Sequence, residues 1–279
     1  MYKGPLNVLY AGNKGYTMAL YLSLESMARR TKNPLKIHVF TMTTGKVIGM
    51  DEEDRLLLEK MLKDFNQENE ITLYDASKMY EEEFMKGPNT KNVFFPPMCL
   101  LRLFAERILP KDIDELLYLD GDTLIYNPVE NIRENDISEH EFGAVLDYLG
   151  KTWKNKNYFN SGVLYFNMKK CRETGLFEKC IEFVMTKKAF FPDQDALNKK
   201  NLSHLVMPTK FNDQRDVLED TVVSHYPRRI WKFYDPVKPW MIKRMHKEYK
   251  RHNFDIDYDY YLEHFPFERY GMEKPKKDW

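Results

Sequence analysis

Cysteine is scarce in this chain, and the three thiols present are poorly placed for joint work. Cys99, Cys171 and Cys180 are an odd number with no metal-ligand spacing. That pattern excludes a disulfide scaffold and a thiolate zinc site, and reads as reduced thiols packed as small hydrophobes. Net charge is lacking too: 43 Lys and Arg balance 43 Asp and Glu, so nothing global favours a nucleic-acid partner. No apolar run approaches the ~20 residues of a membrane span. Met1-Tyr2-Lys3-Gly4-Pro5 passes straight into a strand-like run, with no signal-peptide pattern. No internal repeat or low-complexity linker divides the 279 residues. What remains is a chain 43% apolar and 31% charged, the make-up of a globular protein with a real core, expected in the cytoplasm.

Hydrophobic periodicity then gives the architecture. Leu6 to Ala11 reads as a buried strand, Gly12 to Gly15 as a glycine-rich turn, and Tyr16 to Arg30 as a helix with Leu20, Leu24 and Met27 on one face. Leu35 to Phe40 is a second strand. Asp51 to Phe65 is a helix with acids at its start, and Ile71 to Tyr74 is a third strand. Lys86 to Pro97 reads as a loop, and Met98 to Leu109 as a helix. Further strands are predicted at Phe142 to Asp147, Val163 to Asn167 and Val222 to His225. A turn is predicted at Phe159 to Gly162, and helices over Cys171 to Met185 and from Pro192. Strands alternating with helices imply an α/β fold with a parallel sheet flanked by helices.

The stretch most charged with chemistry is Leu116-Leu117-Tyr118-Leu119-Asp120-Gly121-Asp122, followed by Thr123-Leu124-Ile125. An apolar strand ends in two carboxylates separated by one glycine. In an open α/β sheet the carboxyl edge of the strands is where ligands bind. Two acids this close repel unless a cation lies between them, and hard oxygen ligands suit Mg²⁺ or Mn²⁺. Gly121 is expected to allow a sharp turn and close approach of a ligand. The bland alternative is an acidic turn. A phosphatase would place its glycine after Asp-any-Asp, and near the first strand; neither holds here.

Three further groups carry possible chemistry beside a structural alternative. His225 ends an apolar strand and can complete a metal site, or serve only in packing. Lys238-Pro239-Trp240 can neutralise a diphosphate, or be a solvated lysine before a turn. Asp193-Gln194-Asp195 can grip sugar hydroxyls, or cap a helix.

Taken in order, these pieces resemble glycosyltransferase family 8, the retaining enzymes that include glycogenin and bacterial lipopolysaccharide galactosyl- and glucosyltransferases. The resemblance spans about residues 6–240 and rests on the first strand with Tyr16, Leu101-Arg102-Leu103, Tyr118 to Asp122, Phe159-Asn160-Ser161-Gly162-Val163 with Asn167-Met168, Asp193 to Asn198, Phe211-Asn212, and His225 with Lys238. It implies a Rossmann-like nucleotide-diphospho-sugar transferase (GT-A type) fold over 1–240, with a mixed, mostly parallel sheet and a helical tail over 241–279. It implies that Asp120, Asp122 and His225 bind Mn²⁺ or Mg²⁺. Ala11, Asn13 and Tyr16 would contact the uridine of UDP-glucose or UDP-galactose, and Lys238 its phosphates. Arg102, Gly121, Asn160, Gly162, Asp193 and Gln194 would surround the donor sugar. The acceptor would be a saccharide or glycolipid.

Gln194 stands at the family's candidate nucleophile position. An amide is a poor nucleophile, which favours front-face attack, with the Gln194 carbonyl supporting the cationic sugar. Two departures matter. Asn13 replaces the family's usual Asp, though its carbonyl still suits a uracil N–H. Arg228 replaces an expected Gly, and Lys232 competes with Lys238 for the phosphate role. Those departures motivate an alternative, a catalytically impaired sugar-nucleotide-binding protein of the same fold. In the tail, Met241 to His252 would form a basic helix, and the aromatics after it would meet a membrane surface or pack on the catalytic domain.

Overall fold

The computed structural model describes residues 4–45, 47–89, 97–226, 247 and 255–274. The elements in order are β1 (Leu6–Ala11), α1 (Thr17–Arg30), β2 (Leu35–Thr41), α2 (Glu52–Phe65), β3 (Glu70–Asp75), α3 (Ser77–Phe84), α4 (Ala105–Ile108), β4 (Glu115–Leu119), β5 (Thr123–Ile125), β6 (Phe142–Leu146), α5 (Gly150–Trp153), β7 (Phe159–Asn167), α6 (Met168–Thr174), α7 (Leu176–Thr186), α8 (Pro192–Lys200), β8 (His204–Val206) and β9 (Val223–His225). Seven strands form one sheet in the order β3-β2-β1-β4-β7-β6-β8. Only β7 runs against the rest: it pairs antiparallel with both β4 and β6, and the other pairings are parallel. Strands β5 and β9 form a separate antiparallel pair.

Period-two alternation divides the core between the two faces of the sheet. Val8, Tyr10, Leu117 and Leu119 pack with α1 and α2 on one face. Leu9, Leu116 and Tyr118 pack with α3, α7 and the turns before α4 on the other. Both faces are covered, which is why these strands read as unbroken apolar runs. Helix α2 begins with a reciprocal cap between Asp51 and Asp54.

Several elements differ from the sequence reading. The helix expected over Met98 to Leu109 is a run of 3₁₀ turns over Pro97–Phe104 that becomes helix α4. Met98, Leu100, Leu101, Leu103 and Phe104 are all buried, so there was no one-sided stripe for a period to report. The turn expected at Phe159 to Gly162 is instead the first half of β7, buried throughout. Its Asn-Ser-Gly turn signal is outweighed because each polar group finds a partner in the fold. The helix expected over Cys171 to Met185 is two helices, divided at Gly175, whose φ of +66° suits glycine.

The C-terminal helix Asp255–His264 packs against α1. Tyr258, Tyr261, Leu262, Phe265 and Phe267 are buried in the α1–α2 core. The Tyr21 ring meets Phe265 edge-on at 5.2 Å between centroids. Tyr260 donates to Asp64 at 2.6 Å, and Tyr270 donates to the fully buried Asp54. Of the two fates weighed for these aromatics, packing on the main domain is the one seen. The basic stretch Met241 to His252 lies outside the described residues, Lys247 apart. Among the described residues no helix is long and apolar enough to cross a membrane.

A histidine in the core makes stability depend on pH. His38 on β2 is 6% exposed, between Asn7 Oδ1 (3.1 Å) and the Tyr74 hydroxyl (3.2 Å). Burial, helped by the nearby Lys36 ammonium, holds its pKa down to about 4. The unfolded chain, with a pKa near 6.5, takes up that proton first. The contribution to stability is therefore complete above about pH 6.5 and falls as pH drops toward 4. Between pH 7.5 and 5 the wild type should lose about 2 kcal/mol more than His38→Gln. Denaturant titrations of both proteins check this, and parallel pH profiles would contradict it.

Candidate active site

The site is built at the carboxyl edge of β4. The chain leaves the sheet where the Asp120 N–H donates to the Gly162 carbonyl at 2.8 Å. The Thr123 hydroxyl donates back to the Asp120 carbonyl at 2.9 Å and closes the turn. Strand β5 then pairs with β9, Thr123 opposite His225, which carries the imidazole to the acid pair. The Tyr226 N–H donates to the Asp122 carbonyl at 2.9 Å and locks that placement.

His225 Nε2 lies 3.3 Å from Asp122 Oδ1 and 3.6 Å from Asp120 Oδ2. One donor atom from each residue lies within 4.8 Å of the other two. Donors on adjacent corners of an octahedral Mg²⁺ or Mn²⁺ stand about 3.0 Å apart, so small side-chain shifts would close this triangle on such an ion. Two carboxylates and an imidazole are also suitable chemistry for it. His225 is buried, which alone would lower its pKa. The adjacent Asp122 and Asp120 carboxylates outweigh that and raise it. The site therefore attracts positive charge.

Asp120 is oriented from behind. Its Oδ1 accepts from Arg102 Nη2 at 2.8 Å and from the Tyr118 hydroxyl at 2.7 Å, leaving Oδ2 for the triangle. Arg102 is 3% exposed. Its other contacts are the Ser161 carbonyl, the Cys99 carbonyl at 3.0 Å, Asp193 Oδ2 at 3.3 Å and the face of Tyr118, 4.0 Å from the ring centre. It sits beneath the site and acts through carboxylates.

Gly121 needs no unusual backbone angle: the glycines with positive φ are Gly4, Gly45, Gly175 and Gly271. The turn expected there is present, over Gly121 and Asp122, and is made without a positive φ. The glycine's missing side chain instead admits Tyr16, whose ring carbon would lie 3.3 Å from a Cβ at 121. Gly162 has a stricter reason. A Cβ there would lie 2.1 Å from His225 Cε1, inside the imidazole.

Gln194 and Asp193 open helix α8 behind Pro192. Gln194 Oε1 accepts from the Ser161 N–H at 2.9 Å, while its Nε2 donates to Asp147 Oδ2 at 3.3 Å. The carbonyl expected to face a cationic sugar thus faces Ser161, because a backbone N–H can only donate and turns the amide that way. Asp193 accepts from the Ser161 hydroxyl at 3.0 Å. Asp195 takes the structural part, accepting from the Tyr158 hydroxyl at 2.7 Å and pairing with Lys154 at 3.2 Å. Asn160 donates to Asp147 Oδ2 at 3.0 Å. The sequence reading assigned no role to Asp147, Tyr118, Ser161 or Asn212. Asp147 carries the same signal as Asp120, an acid directly after an apolar strand.

The turn after β1 completes the edge. Its Gly12 N–H donates to the Phe40 carbonyl at 2.9 Å, and Lys14 pairs with Asp51. Asn13 Oδ1 is buried with no hydrogen-bond partner among the described residues, an acceptor left over beside Ala11 and Tyr16. Arg228, Arg229, Lys232 and Lys238 lie outside the described residues.

A mostly parallel sheet with one reversed strand, carrying paired acids and a histidine at its edge, defines the GT-A fold of nucleotide-diphospho-sugar transferases. Solved structures share it. The galactosyltransferase LgtC, in complex with donor and acceptor sugar analogues, aligns with a TM-score of 0.65 at 20% identity, over 87% of this chain and 94% of that one. GlyE of Streptococcus pneumoniae aligns with a TM-score of 0.58 at 18% identity, over 89% of this chain and 64% of that one. The chain belongs to glycosyl transferase family 8, whose family model matches residues 7–243. It is therefore a glycosyltransferase. Among characterised relatives, an Escherichia coli lipopolysaccharide 1,2-glucosyltransferase is 24% identical over 92% of this chain and 85% of its own length. A Salmonella typhimurium lipopolysaccharide 1,3-galactosyltransferase is 24% identical over 84% of this chain and 72% of its own length.

Proposed function

We propose that this protein is a metal-dependent, retaining hexosyltransferase that moves glucose or galactose from a UDP-sugar to a saccharide or glycolipid acceptor. The observation that carries the reading is the triangle of Asp120, Asp122 and His225, whose donor atoms lie within 4.8 Å of one another. These three residues would hold Mn²⁺ or Mg²⁺. When bound, the ion supplies Lewis-acid stabilisation of the negative charge on the departing diphosphate.

The remaining work falls to the chain's own groups. Arg102 and Tyr118 hold Asp120 so that one oxygen faces the triangle. The unpartnered Asn13 Oδ1 suits the uracil N–H, and the Tyr16 ring lies against Gly121 between the two acids. Lys238, or Lys232 in its place, would neutralise a phosphate as a point charge. Asp193 and Gln194 are both bound to Ser161, and Asp193 also pairs with Arg102. Neither is poised as a nucleophile, which supports acceptor attack from the face the UDP leaves. The departing phosphate would take the acceptor's proton. A cytoplasmic place, with the basic tail against the inner membrane face, would suit lipid-linked acceptors.

Release of UDP from UDP-glucose and UDP-galactose, with Mn²⁺ and with chelator, tests this. Release with one donor that chelator abolishes is the expected result. Tight UDP binding with no release from either donor would support the impaired, binding-only alternative. Release of inorganic phosphate alone would support a phosphatase.

A further inference from the structure

Beyond the metal face, a chain of side-chain amides runs from His225 to Asp147. Its direction follows from groups that have only one role. A backbone N–H can only donate, and an ionised carboxylate can only accept. Asp147 Oδ1 accepts from the N–H groups of Leu149 (3.0 Å) and Gly150 (2.6 Å). Its Oδ2 accepts from Asn160 Nδ2 at 3.0 Å. The Gly162 N–H donates to Asn160 Oδ1 at 2.9 Å, so both ends of the Asn160 amide are assigned.

Asn212 Nδ2 lies 3.0 Å from that same Asn160 Oδ1 and must donate to it. Turning the Asn212 amide over would set two carbonyl oxygens at that distance, in a place where Asn212 has no exposure to water. Asn212 therefore turns its oxygen toward His225 Nδ1, 3.1 Å away. Nδ1 must carry a hydrogen to meet it. In the neutral ring the lone pair is then left on Nε2, the nitrogen that faces Asp120 and Asp122.

We propose that Asn212 is a positioning residue that fixes the tautomer and heading of His225, so that Nε2 is presented to the cation. Asn160 and Asp147 are the anchor that gives the amide chain its direction. The inference rests on the reading of Asp120, Asp122 and His225 as a metal site. The same Asp147 oxygen accepts from Gln194 Nε2 at 3.3 Å, so His225 and Gln194 share one support. Groups behind a metal-bound histidine usually change metal affinity about 10- to 100-fold when removed.

The test compares wild type, Asn212→Leu and Asn212→Asp, all full-length. Nitrogen NMR on metal-free, histidine-labelled protein, at a pH where the ring is neutral, reads the tautomer. The resonance of free Mn²⁺ in solution reads affinity without turnover. Wild-type His225 should carry its hydrogen on Nδ1. Asn212→Leu should admit the other tautomer and bind Mn²⁺ at least ~10-fold more weakly. Asn212→Asp keeps an acceptor for Nδ1–H but sets an oxygen against Asn160 Oδ1, so it should retain the Nδ1–H tautomer and weaken Mn²⁺ binding less than Asn212→Leu, a split that a role in packing alone would not give. The proposal is overturned if wild-type His225 carries its hydrogen on Nε2, or if both variants weaken alike. Should wild type bind no Mn²⁺, the metal reading fails, and the metal-free spectrum still decides what Asn212 does to the ring. Should Asn212→Leu not fold, the wild-type spectrum and Asn212→Asp carry the decision.

Discussion

Asp122→Asn should lower donor turnover about 1000-fold while the protein remains folded. Asp122 Oδ1 lies 3.3 Å from His225 Nε2 and forms one corner of the triangle. The substitution keeps the shape but removes one of the two negative charges that favour a cation. A bound metal contributes several kcal/mol of charge stabilisation in the transition state. Losing about 4 kcal/mol of it corresponds to about three powers of ten in rate. Mn²⁺ should raise the melting temperature of the wild type, because it binds only the folded state, and should leave that of the variant unchanged. Turnover within tenfold of wild type at saturating Mn²⁺ would remove Asp122 from the proposed metal site.

Gly162→Ala should be nearly as damaging, for a steric reason. The new methyl would stand 2.1 Å from His225 Cε1, 2.6 Å from Nδ1 and 2.7 Å from Nε2. The ring cannot step aside easily: it is 3% exposed, held by Asn212, and carried on the paired strand β9. Overpacking of this kind costs about 1–3 kcal/mol of stability. The displaced imidazole should weaken Mn²⁺ binding at least ~10-fold and turnover ~100-fold. Adding His225→Ala to Gly162→Ala removes the obstruction. The double variant should regain stability relative to Gly162→Ala, without regaining turnover, since contacting sites are not additive. If the second substitution lowers stability further, the clash is not the cause.

Much of the site is legible in the chain because its signals are local. An apolar run that stops at Asp120-Gly121-Asp122 marks a strand edge and a charge problem within a few residues. The acids after Pro192 mark a helix start in the same way. The glycines are less transparent. Gly121 and Gly162 are there to admit Tyr16 and His225, and neither reason is visible in their neighbours in sequence. The Asn160-Ser161-Gly162 segment carries the signal of a turn, yet it is strand, because Asp147, Gln194 and Asp193 meet its polar groups. Arg102 shows the same limit: its place under Asp120, which gives it an orienting part, is not visible in its own segment.

The sequence by itself determined the alternation of the main strands and helices, the α/β class, the acid pair and the family, because periodicity, turn chemistry and short motifs act between near neighbours. Only the tertiary structure decided that β7 runs antiparallel, that β5 and β9 bring His225 to the acids, and that the C-terminal aromatics close the core over α1. It alone decided the direction of the hydrogen bonds from Asp147 to His225. The physical reason is distance along the chain. A hydrogen bond or a clash acts over a few ångströms, and the groups that meet at those distances here are brought together only by folding.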